Sequence, residues 1–264
     1  METYKITFSM NILVVCVLFF LLFPVLVVVA ISFSSAEFLS FPPPGLSLRW
    51  YQEIFSSLDW VASFWITIKV GALTAFFSVL VGVPAAFAII RHNFFGKDMF
   101  NALILSALIT PPIIKAMSIY LFYVQLGLNN TILGLALAHT VSGIPFVVIN
   151  TAASLKNFDL NLERAACVHG AHPMQAILKI TLPVVSAGVM VGAVFAFMQS
   201  AQELIVSIFV LGTVDRPLSV KLWEGVQVST DPSIAAASTV LIGVALLSFI
   251  MVALIKRRDG SLAP

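Results

Sequence analysis

Long apolar runs separated by short polar breaks dominate the chain. A helix needs about 20 mainly apolar residues to cross the hydrocarbon of a bilayer. Six runs reach that length: residues 10–32, 60–90, 99–124, 131–153, 182–211 and 234–255. The pattern predicts an all-α membrane protein with six transmembrane helices, forming a single transmembrane domain over residues 1–264. The first run is longer than the apolar core of a signal peptide, Lys5 in its leader is offset by Glu2, and no small-residue cleavage site follows, so it is expected to remain as an anchor. Glycine or proline interrupts the second, third and fourth runs, and Lys256, Arg257 and Arg258 close the sixth.

Composition removes the soluble alternative. Hydrophobic residues make up 60% of the chain and charged residues 10%, against about 45–50% and about 25% in soluble proteins. A net charge of +2 offers no basic surface for nucleic acid, and the hydrophobicity excludes disorder. Cys16 and Cys167 stand far apart and suggest no disulfide framework. Basic residues set the sidedness. Lys5, Arg91, Lys97, Lys156, Arg164, Lys179, Lys256, Arg257 and Arg258 fall on one side, against Arg49, Arg216 and Lys221 on the other. Positive residues accumulate on the inner face, so both termini are expected in the cytoplasm. On the outer side, Pro42, Pro43, Pro44 and Gly45 predict a rigid turn into an interfacial helix, with Trp50, Tyr51, Trp60 and Trp65 as headgroup anchors.

Residues 154–183 form an inner segment far longer than the 2–8 residues that join antiparallel helices. Asp159 suits a helix N-cap, Glu163 the positive end of that helix, and Leu162, Ala165 and Ala166 recur at helical spacing. Gly170 ends it, Pro173 opens a second short helix through Lys179, and Pro183 introduces the next span. The segment reads as a helix-turn-helix along the membrane, either a docking element or an amphipathic surface helix.

Ala165, Ala166, Gly170, Ile180, Leu182 and Pro183 occupy the spacing Ala-Ala, three residues, Gly, nine residues, Ile, one residue, Leu-Pro. This resembles the EAA loop of ABC importer permeases, with Arg164 at the position of the motif glutamate and Glu163 just before it. Residues 41–51, the inner loop Phe94-Phe95-Gly96-Lys97 and the pair Pro111-Pro112 are similar to the spermidine/putrescine-type subgroup. The resemblance implies a bacterial inner-membrane permease that pairs with a second, related permease, two ATP-binding cassette subunits and an extracytoplasmic binding protein. It further implies that Glu163, Arg164, Ala165, Ala166, Gly170, Ala171, Ile180, Leu182 and Pro183 couple to the ATPases, and it points to polyamines or related small amines. ATP and Mg are expected on the partner, because the chain has no Gly-x-x-x-x-Gly-Lys-Ser/Thr loop to cradle phosphates. No cofactor or metal is expected on this chain.

Gln199, Ser200, Gln202 and Glu203 give the fifth run a polar stripe, expected either to line a translocation pathway or to bond neighbouring helices. Lys69 and Lys115 are expected to snorkel toward an interface. Pro84 and Pro111-Pro112 are expected to break backbone bonding within spans. His139 and Ser142 share one helix without a partner of catalytic spacing, and His169 with His172 lacks further ligands, so no catalytic residue is assigned. A self-contained secondary transporter would also accommodate six spans and intramembrane charge, but leaves the EAA spacing unexplained.

Overall fold

The computed structural model describes residues 8–212, 216–228 and 231–260. Glu2 and Lys5 lie outside the described residues, as do the side chains of Lys256, Arg257 and Arg258. Twelve α-helices and one π-helical turn account for almost all of what is described, and an isolated bridge pairs Ser34 with Leu46. The chain divides into two compact units: residues up to Val61 together with Leu222–Val244, and Ala62–Lys221 together with residues from Ala245 onward.

In the first unit, α1 (Phe8–Ser32) is apolar on every face, and none of its membrane-length window is buried. A helix without a polar face belongs in lipid or against another membrane chain. Its end is tied to α2 (Arg49–Ser56) by a 2.8 Å hydrogen bond between the Ser32 and Tyr51 hydroxyls and by the Phe33 and Tyr51 rings, 5.1 Å apart. Trp50 is buried, whereas Trp65 of the other unit is exposed.

The second unit is built on helices α3 (Leu58–Arg91), α6 (Ile132–Lys156) and α9 (Leu182–Gln202). They meet along rows of small residues. Methyl groups added at Gly143, Gly188 and Gly192 would fall within 2.3 Å of Ser78 Oγ, 2.1 Å of Ser154 Oγ and 2.6 Å of Val147 Cα. In lipid, where tails are as apolar as leucine, such close backbone approach is what holds helices together.

The third expected span is two helices, not one. α4 (Lys97–Ile109) and α5 (Pro112–Leu126) meet at a 105° bend. The residue before a proline is pushed out of the α region, and two successive prolines force both Thr110 (ψ 127°) and Pro111 (ψ 131°) into extended backbone. Single prolines do less: Pro84 and Pro145 lie inside α3 and α6, which continue past them. The fifth expected span is also divided. α9 ends at Gln202, Glu203 is extended, and the short α10 (Ile205–Leu211) follows. After α11 (Leu218–Val228), α12 (Ser233–Gly260) is the last described element. Among the described residues five helices are long and apolar enough to cross a membrane alone, and six spans result if the bent α4–α5 pair counts as one.

Candidate functional site

Between α6 and α9 the chain makes an elbow. α7 (Leu160–Val168) is capped by Asp159, whose carboxylate accepts from Asn161 N at 2.9 Å. Gly170 ends the turn at φ +90°, with Ala171 N donating to Ala166 O and Gly170 N to Cys167 O, both at 3.0 Å. This paired closure satisfies the terminal carbonyls and needs a left-handed residue at position 170. His172 starts α8 (Pro173–Ala176): its Nδ1 accepts from Met174 N, and its own N–H donates to the Gln175 side chain.

The second limb does not stop at Lys179, where the short helix was expected to end before Pro183 introduced the next span. α8 runs into a π-turn (Ile177–Thr181) and directly into α9, one continuous helix over Pro173–Gln202. A proline ring clashes with the carbonyl four residues back. The π-turn meets this by widening the spiral just before Pro183, with Leu182 N donating to Ile177 O five residues earlier.

Three elements are clamped together by Glu163. Its Oε1 accepts from Arg91 Nη2 at 2.9 Å and from the Thr181 hydroxyl. Arg91 is the last residue of α3 and Thr181 the last of the π-turn, and the Arg91 guanidinium also sits 5.3 Å from the Phe158 ring centre. The clamp side chains are only 14% and 20% exposed, which shields the pair from solvent. Arg91 and Thr181 carry no distinguishing sequence pattern. Arg91 was legible only as an inner-side charge, and its partner lies 72 positions away.

The motif residues divide by direction. Arg164, Ala165 and Gly170 are exposed, together with Cys167 and Val168, while Ala166 and Ala171 are half-buried. Ile180 and Leu182 pack inward against the cluster containing Ala85, Ala86, Val148, Leu155 and Val185, and Pro183 is exposed. The elbow therefore presents a small-residue, partly apolar outer surface, with Val168 86% exposed, on a base anchored by its own branched side chains. An exposed apolar patch of this kind marks an interaction surface.

The polar stripe on α9 also divides. Ser200 is buried, with its hydroxyl 2.8 Å from His139 Nδ1, and Ser207 Oγ lies 3.3 Å from His139 Nε2. Glu203, 9% exposed, sits at the helix break: its carboxylate accepts from Val206 N at 3.4 Å and from Gln199 Nε2 at 3.2 Å. Its carbonyl accepts from the Ser207 and Ser219 hydroxyls at 2.6 and 3.2 Å. Gln199 and Gln202 line a cavity. The Lys115 ammonium donates to Ser142 Oγ at 2.5 Å, while Lys69 is exposed on α3. His139 and Ser142 thus have separate partners. Replacing Glu203 by leucine is expected to leave the Val206 amide and the Gln199 side chain unpaired and to cost about 1–3 kcal/mol, measured as a lowered unfolding midpoint in detergent.

The profile of the family described as "Binding-protein-dependent transport system inner membrane component" matches residues 78–260, and the chain belongs to that family. Among its relatives, the spermidine/putrescine transport system permease protein PotC of Escherichia coli (strain K12) is 28% identical over 90% of both chains. The putrescine transport system permease protein PotI of the same organism is 27% identical over 91% of this chain and 88% of its own. The fold matches that of a bacterial ABC transporter involved in the import of alginate, at a TM-score of 0.69 and 15% identity over 94% of each chain. It also matches that of the MetNI methionine ABC transporter, at a TM-score of 0.62 and 18% identity over 75% of this chain and 95% of that one.

Proposed function

We propose that the chain is one of two permease subunits of an ATP-driven importer of small organic amines, spermidine and putrescine foremost. The names of relatives that align along nine-tenths of this chain support the amine. In this reading two ATP-binding cassette subunits hold ATP and Mg, an extracytoplasmic binding protein delivers the solute, and the second permease is a related chain. Both termini face the cytoplasm with the elbow, following the excess of basic residues on that side.

The observation that carries the coupling role is the division of the elbow. Arg164, Ala165, Cys167, Val168 and Gly170 face outward for an ATPase groove. Glu163 ties the same helix to α3 and to the root of α9. Small outward side chains let a partner's backbone approach, and the internal tie turns displacement of α7 into displacement of two spans.

Gly170 provides the test. A methyl there meets nothing within 4 Å, so substitution acts only through the backbone at φ +90°. A β-branched residue in that conformation costs on the order of 1–2 kcal/mol, and asparagine far less. In proteoliposomes holding the whole complex, Gly170→Val is expected to lower spermidine uptake about tenfold while ATP hydrolysis continues, and Gly170→Asn to retain uptake. Full uptake by Gly170→Val would refute the coupling role.

A further inference from the structure

We propose that the cavity between α6, α9 and α12 is an intramembrane site for an organic ammonium ion; for its physiological ligand this rests on the amine-import reading above. The cavity holds about 250 Å³. Its walls bring together one ring from each of three helices, Phe146, Phe195 and Phe249, with the carboxamides of Gln199 and Gln202. Phe146 and Phe195 lie nearly parallel, 6.0 Å between centres at 16°, and Phe249 meets Phe195 edge-on at 5.8 Å and 71°.

The donor set selects by charge. Phenyl faces are negative and attract cations. The orientation of Gln199 follows from its partner: a carboxylate only accepts, so the amide NH₂ faces Glu203 and Oε1 turns the other way as an acceptor. Among the described residues neither lysine nor arginine lines the cavity, and the formal charge bonded to its wall is the Glu203 carboxylate. An anionic solute would meet ring faces backed by negative charge. A small inorganic cation would lose its water for two amide oxygens, where calcium takes six to eight oxygen ligands. An alkyl ammonium ion is satisfied on both counts, with its hydrocarbon body against the rings and its charge over their faces and beside the amide oxygens. Phe195, Gln199 and Gln202 ride on α9 while Phe146 and Phe249 do not, so any displacement of α9 against its neighbours reshapes the site.

The test uses the assembled complex in detergent without its binding protein. Equilibrium binding is measured for 1,4-diaminobutane, for tetramethylammonium and for 1,4-butanediol, the uncharged isostere of the diamine. Both cations are expected to bind, and the diol at least about tenfold more weakly. Phe195→Leu and Gln199→Leu are each expected to weaken diamine binding about tenfold. Stepwise fluorination of Phe195 or Phe249, which withdraws the ring's negative face and barely changes its shape, should weaken cation binding progressively to about fivefold. A structural ring would be insensitive to this series, and it needs no disruptive substitution. Binding that is unchanged across the fluorine series, or equal for diol and diamine, overturns the site. If the complex imports the diamine in proteoliposomes under those conditions, the transport reading survives and the site alone is lost. Fluorine-sensitive tetramethylammonium binding without amine import upholds the site and overturns the transport reading.

Discussion

Gly192→Val is expected to be the most damaging single change to the folded protein. A Cβ at this position falls 2.6 Å from Val147 Cα and 3.1 Å from the Phe146 carbonyl, both main chain. No rotamer relieves such a clash; α6 and α9 must move apart along their whole seam. Forcing extra volume into a packed interior costs about 1–3 kcal/mol when side chains yield, and here the backbone has to, so a cost at or above that range is expected. At about 2–4 °C per kcal/mol, the unfolding midpoint in detergent should fall by about 10 °C. Because the obstacle is main chain, shortening Val147 should not rescue it. Gly71 offers the contrast: the nearest atoms to an added methyl there belong to the Phe197 ring, at 2.7 Å, so Gly71→Ala should be recovered by trimming Phe197. Gly243→Val, with nothing within 4 Å, should leave the midpoint nearly unchanged.

Glu163→Ala is expected to produce the largest loss of transport with the smallest loss of assembly. The substitution strands a largely shielded guanidinium at the end of α3 and frees the Thr181 hydroxyl, while Ala165 and Val168 keep their outward positions. Removing one partner of a fully buried ion pair costs about 3–5 kcal/mol; the residual exposure brings this to about 1–3 kcal/mol. The ATPase subunits should still co-purify and hydrolyse ATP, and uptake should fall about tenfold or more. Arg91→Ala should match it. The double variant should be little worse than either single one, because the two changes remove one interaction. Additive losses would mean that the two residues act separately.

What could be read from the sequence and what could not divide on physical grounds. The apolar runs were legible because span length is set by bilayer thickness, a one-dimensional measure. Asp159 as a cap and Gly170 as a terminator were legible because capping is local. The break at Thr110–Pro111 was foreshadowed by the proline pair, but Pro84 carried the same local signal and sits in an unbroken helix. Tertiary packing decides that case. The π-turn was hidden: Pro183 read as a boundary, and only widening of the preceding turn lets the helix pass. The Glu163–Arg91 pair and the Gly192–Val147 seam join residues distant in sequence, which periodicity along one chain cannot register. The polar stripe was seen, but not its division, because Ser200 and Glu203 turn inward at a helix end that apolar residues alone do not mark.

The unbroken helix from Pro173 to Gln202 has 30 residues and is about 45 Å long at 1.5 Å per residue. Tilted as one piece, such a rod would act as a crankshaft. A small tilt applied at its foot arrives at the far tip with the same angle and a larger sweep, and the loosely wound turn at Ile177–Thr181 is where torque would be absorbed or passed on. Chemical work done outside the bilayer would then reach the opposite leaflet as rotation of one stiff part, without any relay of side chains along the way.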